Sequence, residues 1–245
     1  MKELAAIVLA AGEGKRMESK DVNKVTLPLG GKPMILHTVD LLRQIEASPI
    51  TIVVGFAKDS VKSLLDGDIV FVEQAQRLGT ANAVEVALRE MPQDMGDVLI
   101  LQGDDSALYK REIIEALVNK HRESNAAFTF LTINVDNPTG LGRIIRNREG
   151  KLEVILEEKD ATFEQKQIRE INPACYVADI QFLRKYLPQV EKSPVTGEYY
   201  LTSLIDIGIR NNEIVETLTA GNIPWRGVNT KDELQEAERM LSSRE

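Results

Sequence analysis

The sequence holds one cysteine, Cys175, and two histidines, His37 and His121. A single thiol excludes an intrachain disulfide and suits a reducing compartment, so a cytoplasmic location is expected. The histidines are far apart in segments that read as helices, which gives no metal-ligand spacing and no nucleophilic pair with Cys175. Long apolar runs are also missing: the stretch within "MKELAAIVLAAG" is too short to span a membrane, and its charged, glycine-rich continuation is unlike a signal-peptidase site. A basic surplus is absent as well. With 30 Lys and Arg against 38 Asp and Glu, the net charge of −8 argues against a general nucleic-acid binder.

What is present is a 245-residue chain, long enough for one large α/β domain or a domain with an appended lobe. It shows no internal repeat and no low-complexity linker. Its first 36 residues carry six bases (Lys2, Lys15, Arg16, Lys20, Lys24, Lys32) against four acids (Glu3, Glu13, Glu18, Asp21). A locally basic, glycine-rich segment in an acidic protein suits a small anionic ligand, although lysines that merely solvate a loop would look the same.

Through residue 125 the pattern is that of βαβ units. "AAIVLA" (5–10), "ITIVVGF" (50–56), "DIVFVEQ" (68–74) and "DVLILQG" (97–103) read as strands buried on both faces. Segments 33–45, 81–91 and 111–121 read as amphipathic helices. From about 126 the texture is mostly strand-like, with "NREGK" (147–151) a hairpin turn. A helix near 199–211, a strand near 214–219 and a helix over 231–242 close the chain. Residues 1–125 form the expected nucleotide-binding half and 126–245 the sugar- or acceptor-binding half of a single domain.

"LAAGEGKRM" (9–17) follows the first strand and has the character of a phosphate loop. A P-loop needs a hydroxyl after Gly-Lys, but Arg16 follows Lys15 and Leu9 stands in place of the first glycine. A dinucleotide fingerprint needs a third glycine where Met17 sits, and an acid about 20 residues on that "LGGKPMIL" (29–36) does not offer. On the glycines alone, an ordinary strand-to-loop turn remains equally open. Arg16 and Lys24 add two cations to a loop whose freed amides can face anionic oxygens.

Taken together, "LAAGEGKRM" and "NKVTLPLGGKPMI" resemble the signature of sugar-1-phosphate nucleotidylyltransferases. "EQAQRLGTANAV" (73–84) is similar to the base-reading segment of bacterial N-acetylglucosamine-1-phosphate uridylyltransferases, the pyrophosphorylase half of a bifunctional enzyme. "LILQGDDSAL", "NPTGLGRI", "ILEEKDAT", "EINPACYV", "GEYYLTSLI" and "RGVNTKDEL" follow in the family's order. The resemblance implies a Rossmann-like α/β nucleotidyltransferase fold, three-layer α/β/α with a mixed, mostly parallel central sheet.

It further implies transfer of a uridylyl group from UTP to a sugar-1-phosphate, with Arg16, Lys24 and Asp104 as the catalytic groups. Leu9, Ala10, Ala11, Gly12, Gly14, Lys15, Gln74, Gly79, Thr80 and Gly103 would meet the nucleotide. Gly142, Glu157, Lys159 and Asn172 would meet the sugar phosphate, and Asp104 with Asn229 would hold Mg²⁺. Thr80 is also a natural cap for the helix after it, and Asn229 for the helix at 231. Asp105 is read as an extra carboxylate, not a ligand. The partners implied are small molecules, with no nucleic acid or membrane.

The family's β-helix acetyltransferase half has no counterpart in these residues, so at most the uridylyl transfer is expected. Another sugar-1-phosphate such as glucose-1-phosphate, another base, or a catalytically silent nucleotide-sugar sensor are the competing readings. The chain also departs from the family pattern in places. Asn23 replaces a frequent proline, which predicts a looser loop at Lys24. Gln102 replaces a frequent tyrosine, and Asp105-Ser106-Ala107 an apolar, proline-containing stretch. Pro173-Ala174 replaces Thr/Ser-Gly, which restricts Asn172 and removes conformational room beside the acceptor.

Overall fold

In a computed structural model the chain is described over residues 3–14, 17, 21–156, 158 and 161–243. The first half alternates β1 (Leu4–Ala10), a small hairpin of β2 (Pro28–Leu29) and β3 (Lys32–Pro33), α1 (Met34–Gln44), β4 (Ile50–Val54), α2 (Lys58–Lys62), β5 (Ile69–Glu73), α3 (Thr80–Arg89), β6 (Asp97–Gln102) and α4 (Arg111–Glu123). The second half holds β7 (Phe128–Asn134), β8 (Arg143–Arg146), β9 (Leu152–Leu156), β10 (Glu170–Ile171), β11 (Tyr176–Asp179), α5 (Ile180–Tyr186), α6 (Ser203–Arg210), β12 (Val215–Thr219) and α7 (Lys231–Ser242).

Apart from the hairpin, these strands form one mixed sheet in the order β5-β4-β1-β6-β11-β7-β10-β8-β9, with β12 on β7. β5, β4, β1 and β6 pair in parallel; β11 runs against both β6 and β7, and β12 runs parallel to β7. The mixed sheet expected from the sequence is thus found, parallel through β5-β4-β1-β6 and antiparallel from β6 through β11, β7, β10, β8 and β9. Its two faces are separate cores, because successive strand residues point opposite ways. Ala6, Val8 and Ala10 of β1 pack with α1, α4 and α7, whereas Ala5, Ile7 and Leu9 pack with α3, α5 and α6. Helices on both faces make three layers, and burial on both sides explains why "AAIVLA" shows no polar alternation.

The helices form for the reason their periodicity gives. α1 buries Met34, Ile35, Val39 and Leu42 along one stripe, each such side chain contributing about 1.5–3 kcal/mol on leaving water. α5 is not anticipated by the strand-like reading of "INPACYVADI". Its signal is Asp179, whose carboxylate accepts from the amides of Gln181 at 2.8 Å and Phe182 at 3.2 Å and so starts the helix. No helix among the described residues is long and apolar enough to cross a membrane.

β7 is where the sheet forks. Its first residues pair with β11, its last two with β10, and from β10 the sheet continues away through β8 and β9. The chain passes from one branch to the other through Asn172-Pro173-Ala174-Cys175. The register Tyr176↔Ile100 puts this turn beside the carboxyl end of β6, where ligands of open α/β sheets bind.

Candidate active site

The loops after β1 and β6 meet at the carboxyl ends of their strands, where the Gly103 amide donates to the Leu9 carbonyl at 3.0 Å. They enclose a cavity of about 280 Å³ lined by Leu9, Ala10, Gly12, Gly14, Asn23, Lys24, Asp104 and Asn229, among others. Seven of the expected site residues are therefore brought together, with Ala11 and Gly103 adjoining them in sequence. Larger cavities of about 680 Å³ beside α5 and about 560 Å³ beside α6 lie elsewhere, among side chains that largely belong to ion pairs, caps and core. Gly14 is required where it stands: its φ is +60° and a β-carbon there would lie 2.9 Å from Cβ of Lys24. The glycine lets the lysine stem cross the loop at contact distance.

Asn23 overturns the expectation of a loose loop. Only 1 % exposed, it donates from Nδ2 to the carbonyls of Ala10 at 2.9 Å, Phe56 at 2.8 Å and Gly12 at 3.3 Å. Its Oδ1 accepts from the Val25 amide at 3.1 Å, capping the short 3-10 turn Lys24–Thr26, and its own amide donates to Ser60 Oγ at 3.0 Å. A proline would fix one torsion; this asparagine stitches the glycine loop and the β4–α2 connection to the turn that presents Lys24.

The Lys24 ammonium forms an ion pair with Asp104 and donates to Oδ1 of Asn229 at 3.0 Å. The charged ends are mostly screened from water, with the Lys24 and Asp104 side chains 12 % and 14 % exposed. The two groups expected to hold a metal thus converge on one cation. Asn229 does not cap α7 with its side chain. Thr230 does, its hydroxyl accepting from the Glu233 amide at 3.2 Å, while Glu233 accepts from the Asn229 amide at 2.8 Å. This reciprocal cap leaves the Asn229 carboxamide to face the cavity.

Asp105 sits differently from Asp104. It is 7 % exposed, and burial first, then the Asp105 charge, push the Tyr109 hydroxyl and the Cys175 thiol well above their ordinary pKa.

The residues expected to read the base form a second cluster after β5. Gln74, 5 % exposed, donates from Nε2 to the Gly79 carbonyl at 3.0 Å and to Oδ1 of Asn82 at 2.9 Å. Gly79 has a φ of +109°, and a β-carbon would fall 2.4 Å from the Tyr199 carbonyl, so no larger residue fits. Thr80 does not cap α3: it is the first helical residue, and its hydroxyl accepts from the Leu201 amide at 2.9 Å. With the Ala81 amide donating to Tyr199 O at 3.0 Å, the segment around 199–201 backs this loop. Arg77, donating to Glu13 at 3.2 Å, ties it to the glycine loop.

On the sheet's other branch, Gly142 leads into β8, and Asn172 holds the fork. Its Oδ1 accepts from the Ala174 amide and its Nδ2 donates to the Tyr176 hydroxyl, both at 2.9 Å. Ala174 nevertheless takes the left-handed φ of +58°, so the turn keeps a glycine-like backbone without glycine. Neither Gly142 nor Asn172 lines the cavity around Lys24. Lys15, Arg16, Glu157 and Lys159 lie outside the described residues. Glu158 is no solvated bystander: Arg143, 1 % exposed, donates to it at 2.5 Å and holds its carboxyl below the usual range. His37 and His121 serve structure, bonding at 2.9 Å to Leu29 O and to Thr129 Oγ1.

Residues 6–194 match the model of the MobA-like NTP transferase domain. The chain belongs to this family. Among curated proteins, this NTP transferase chain is 38% identical over 240 residues to the bifunctional protein GlmU of Exiguobacterium sibiricum, covering 98% of the chain and 53% of the relative. It is 40% identical over 242 residues to GlmU of Marinobacter nauticus, covering 98% and 52%. The chain therefore spans about half the length of the curated relatives it matches. Its fold is shared with a crystal structure of a Bacillus anthracis protein assigned as a glucose-1-phosphate thymidylyltransferase. The TM-score is 0.82 at 23% identity, with 97% and 95% of the two chains covered. The Rossmann-like nucleotidyltransferase fold expected from the sequence is the fold found.

Proposed function

We propose that the chain transfers a uridylyl group from UTP to a sugar-1-phosphate, with N-acetylglucosamine-1-phosphate as the acceptor. The observation that carries the reading is the convergence of Lys24, Asp104 and Asn229 on one cavity beside a glycine loop, with no histidine or cysteine among the described residues that line it. Such a set suits a reaction that needs alignment and charge stabilisation but no general base. The acceptor phosphate is already ionised near neutral pH. One of its oxygens attacks the α-phosphorus in line, the bond to the bridging oxygen breaks, and pyrophosphate leaves with the electron pair.

Asp104 and Asn229 fit Mg²⁺: they are hard oxygen donors, and they already cradle the Lys24 ammonium. Held by Asp104 and Asn229, Mg²⁺ would supply positive charge that offsets that of the phosphates. Lys24 offers its ammonium to the phosphates, while Arg16 receives the departing pyrophosphate. Gln74 keeps its amide hydrogens on Gly79 and Asn82 and offers Oε1 to a donor on the pyrimidine edge. Gly142, Glu157, Lys159 and Asn172 meet the sugar phosphate, so the nucleotide is held by the first half of the chain and the acceptor by the second.

A panel of nucleoside triphosphates crossed with sugar-1-phosphates, read by pyrophosphate release, tests this. UTP with N-acetylglucosamine-1-phosphate is expected to turn over fastest. Fastest turnover with another pair would reassign the substrates. Tight nucleotide-sugar binding with no Mg²⁺-dependent turnover of any pair would make the chain a sensor instead.

A further inference from the structure

We propose that Tyr109 is a positioning residue for the acceptor, tying the loop that follows Asp104 to the turn that carries Asn172. This rests on the reading above that the turn faces the sugar phosphate.

The turn lies where β10 ends and β11 begins, so its backbone leaves one ladder before joining the next. Two of its polar attachments are local, both made by the Asn172 carboxamide, to the Ala174 amide and the Tyr176 hydroxyl. They fix the turn's internal shape but not its place relative to the nucleotide. The Pro173 carbonyl is buried, and a buried carbonyl needs a donor. That donor comes from 64 residues away: the Tyr109 hydroxyl, at 3.1 Å. Tyr109 is itself 6 % exposed and packs in the same core as Cys175 and Trp225.

Its position in the chain gives the bond its consequence. Tyr109 follows Asp104 by one short 3-10 turn (Ser106–Leu108), and Asp105 of the same loop is itself buried. One face of this loop therefore reaches the cavity through Asp104, and the other reaches the fork through Tyr109. The phenol stays protonated, because burial and then the Asp105 charge raise it well above its ordinary value. It is a permanent donor. The strand register holds the two segments side by side, and the hydrogen bond sets their spacing.

Tyr109→Phe keeps the ring and removes the donor. Loss of one buried hydrogen bond of ordinary strength is worth roughly fivefold in an equilibrium. We expect the KM for the sugar-1-phosphate to rise about three- to tenfold, with kcat and the KM for UTP within about twofold of the parent. An unchanged acceptor KM in a folded variant, or a loss shared equally by kcat and both KM values, overturns the proposal.

Hydrogen exchange of the unaltered protein gives a second reading that needs no variant. N-acetylglucosamine-1-phosphate, and in a separate arm glucose-1-phosphate, should slow exchange in residues 104–110 together with 171–176. Protection confined to 171–176, or none with either sugar phosphate, also overturns it. Absence of turnover with every substrate pair would instead refute the transferase reading, and the exchange result would still decide the role of Tyr109.

Discussion

Asn23→Ala tests whether the lysine turn is stapled as the geometry indicates. The substitution removes two short bonds from Nδ2, to Phe56 at 2.8 Å and Ala10 at 2.9 Å, with the longer one to Gly12 sharing their hydrogens, and one bond received from Val25 at 3.1 Å. Three ordinary bonds at about 1 kcal/mol each give a loss of about 3 kcal/mol. At about 2–4 °C per kcal/mol for a chain of this size, Tm should fall by about 6–12 °C. Asn23→Asp should be worse than Asn23→Ala although it is isosteric, because it places an oxygen and a charge against three carbonyls at a site 1 % exposed. Urea and thermal unfolding check the order. In the alanine variant that remains folded, kcat/KM for the triphosphate should drop by about 10- to 100-fold, the usual consequence of moving a charged group by about 1 Å. A Tm within a degree of the parent, or an aspartate variant as stable as the asparagine, would refute the argument.

Asp104→Ala and Arg16→Ala should each lower turnover by more than about tenfold, as removal of a charge-stabilising group does; normal pyrophosphate release in both variants sinks the assignment. Lys24→Met removes the cation held by Asp104 and Asn229, so Mn²⁺ binding without nucleotide, followed by electron paramagnetic resonance, should tighten by about five- to tenfold while turnover falls. Weaker Mn²⁺ binding would mean that these oxygens are not the metal's. Asp97 gives a pH effect away from the site. Burial alone would raise its carboxyl, but the His121 imidazole 3.7 Å away and the Arg122 guanidinium, which donates to it at 2.7 Å, outweigh this and hold it below its ordinary value. Its contribution is therefore present above about pH 4 and is lost as pH falls through the depressed folded value. Asp97→Asn should cost about 3 kcal/mol near pH 6, and the gap to the parent, measured by urea midpoints, should narrow below pH 4; a constant gap contradicts the linkage.

What the residues disclosed and what they hid divide along physical lines. Strands such as Ile50–Val54 were legible because burial on both faces demands an unbroken β-branched run. α7 was legible to its ends, since its stripe of Leu234, Ala237, Met240 and Leu241 has the helical period. α5 was hidden because its apolar residues continue those of β11, and only Asp179 marks the boundary. Thr80 and Asn229 were both credible caps by residue type. Capping, however, depends on backbone angles that neighbours set: Gly79 takes the place of Thr80, and Thr230 that of Asn229. Asn23 was misjudged for a related reason. Its partners at Ala10, Gly12 and Phe56 are carbonyls, and a carbonyl carries no signature in sequence. The convergence of Lys24, Asp104 and Asn229 follows family order but no local pattern, for Lys24 and Asn229 are 205 residues apart.

Because Thr230 and Glu233 start α7 between them, the helix cap needs nothing from the Asn229 carboxamide, whose Oδ1 instead accepts from Lys24. Helix capping and the metal-holding role proposed for Asn229 fall on different side chains, which makes this position the natural place to graft a different ligand. A carboxylate, a thiol or an imidazole could be tried there, and the metal affinity of each variant compared with the parent, without rebuilding the end of the helix that carries it.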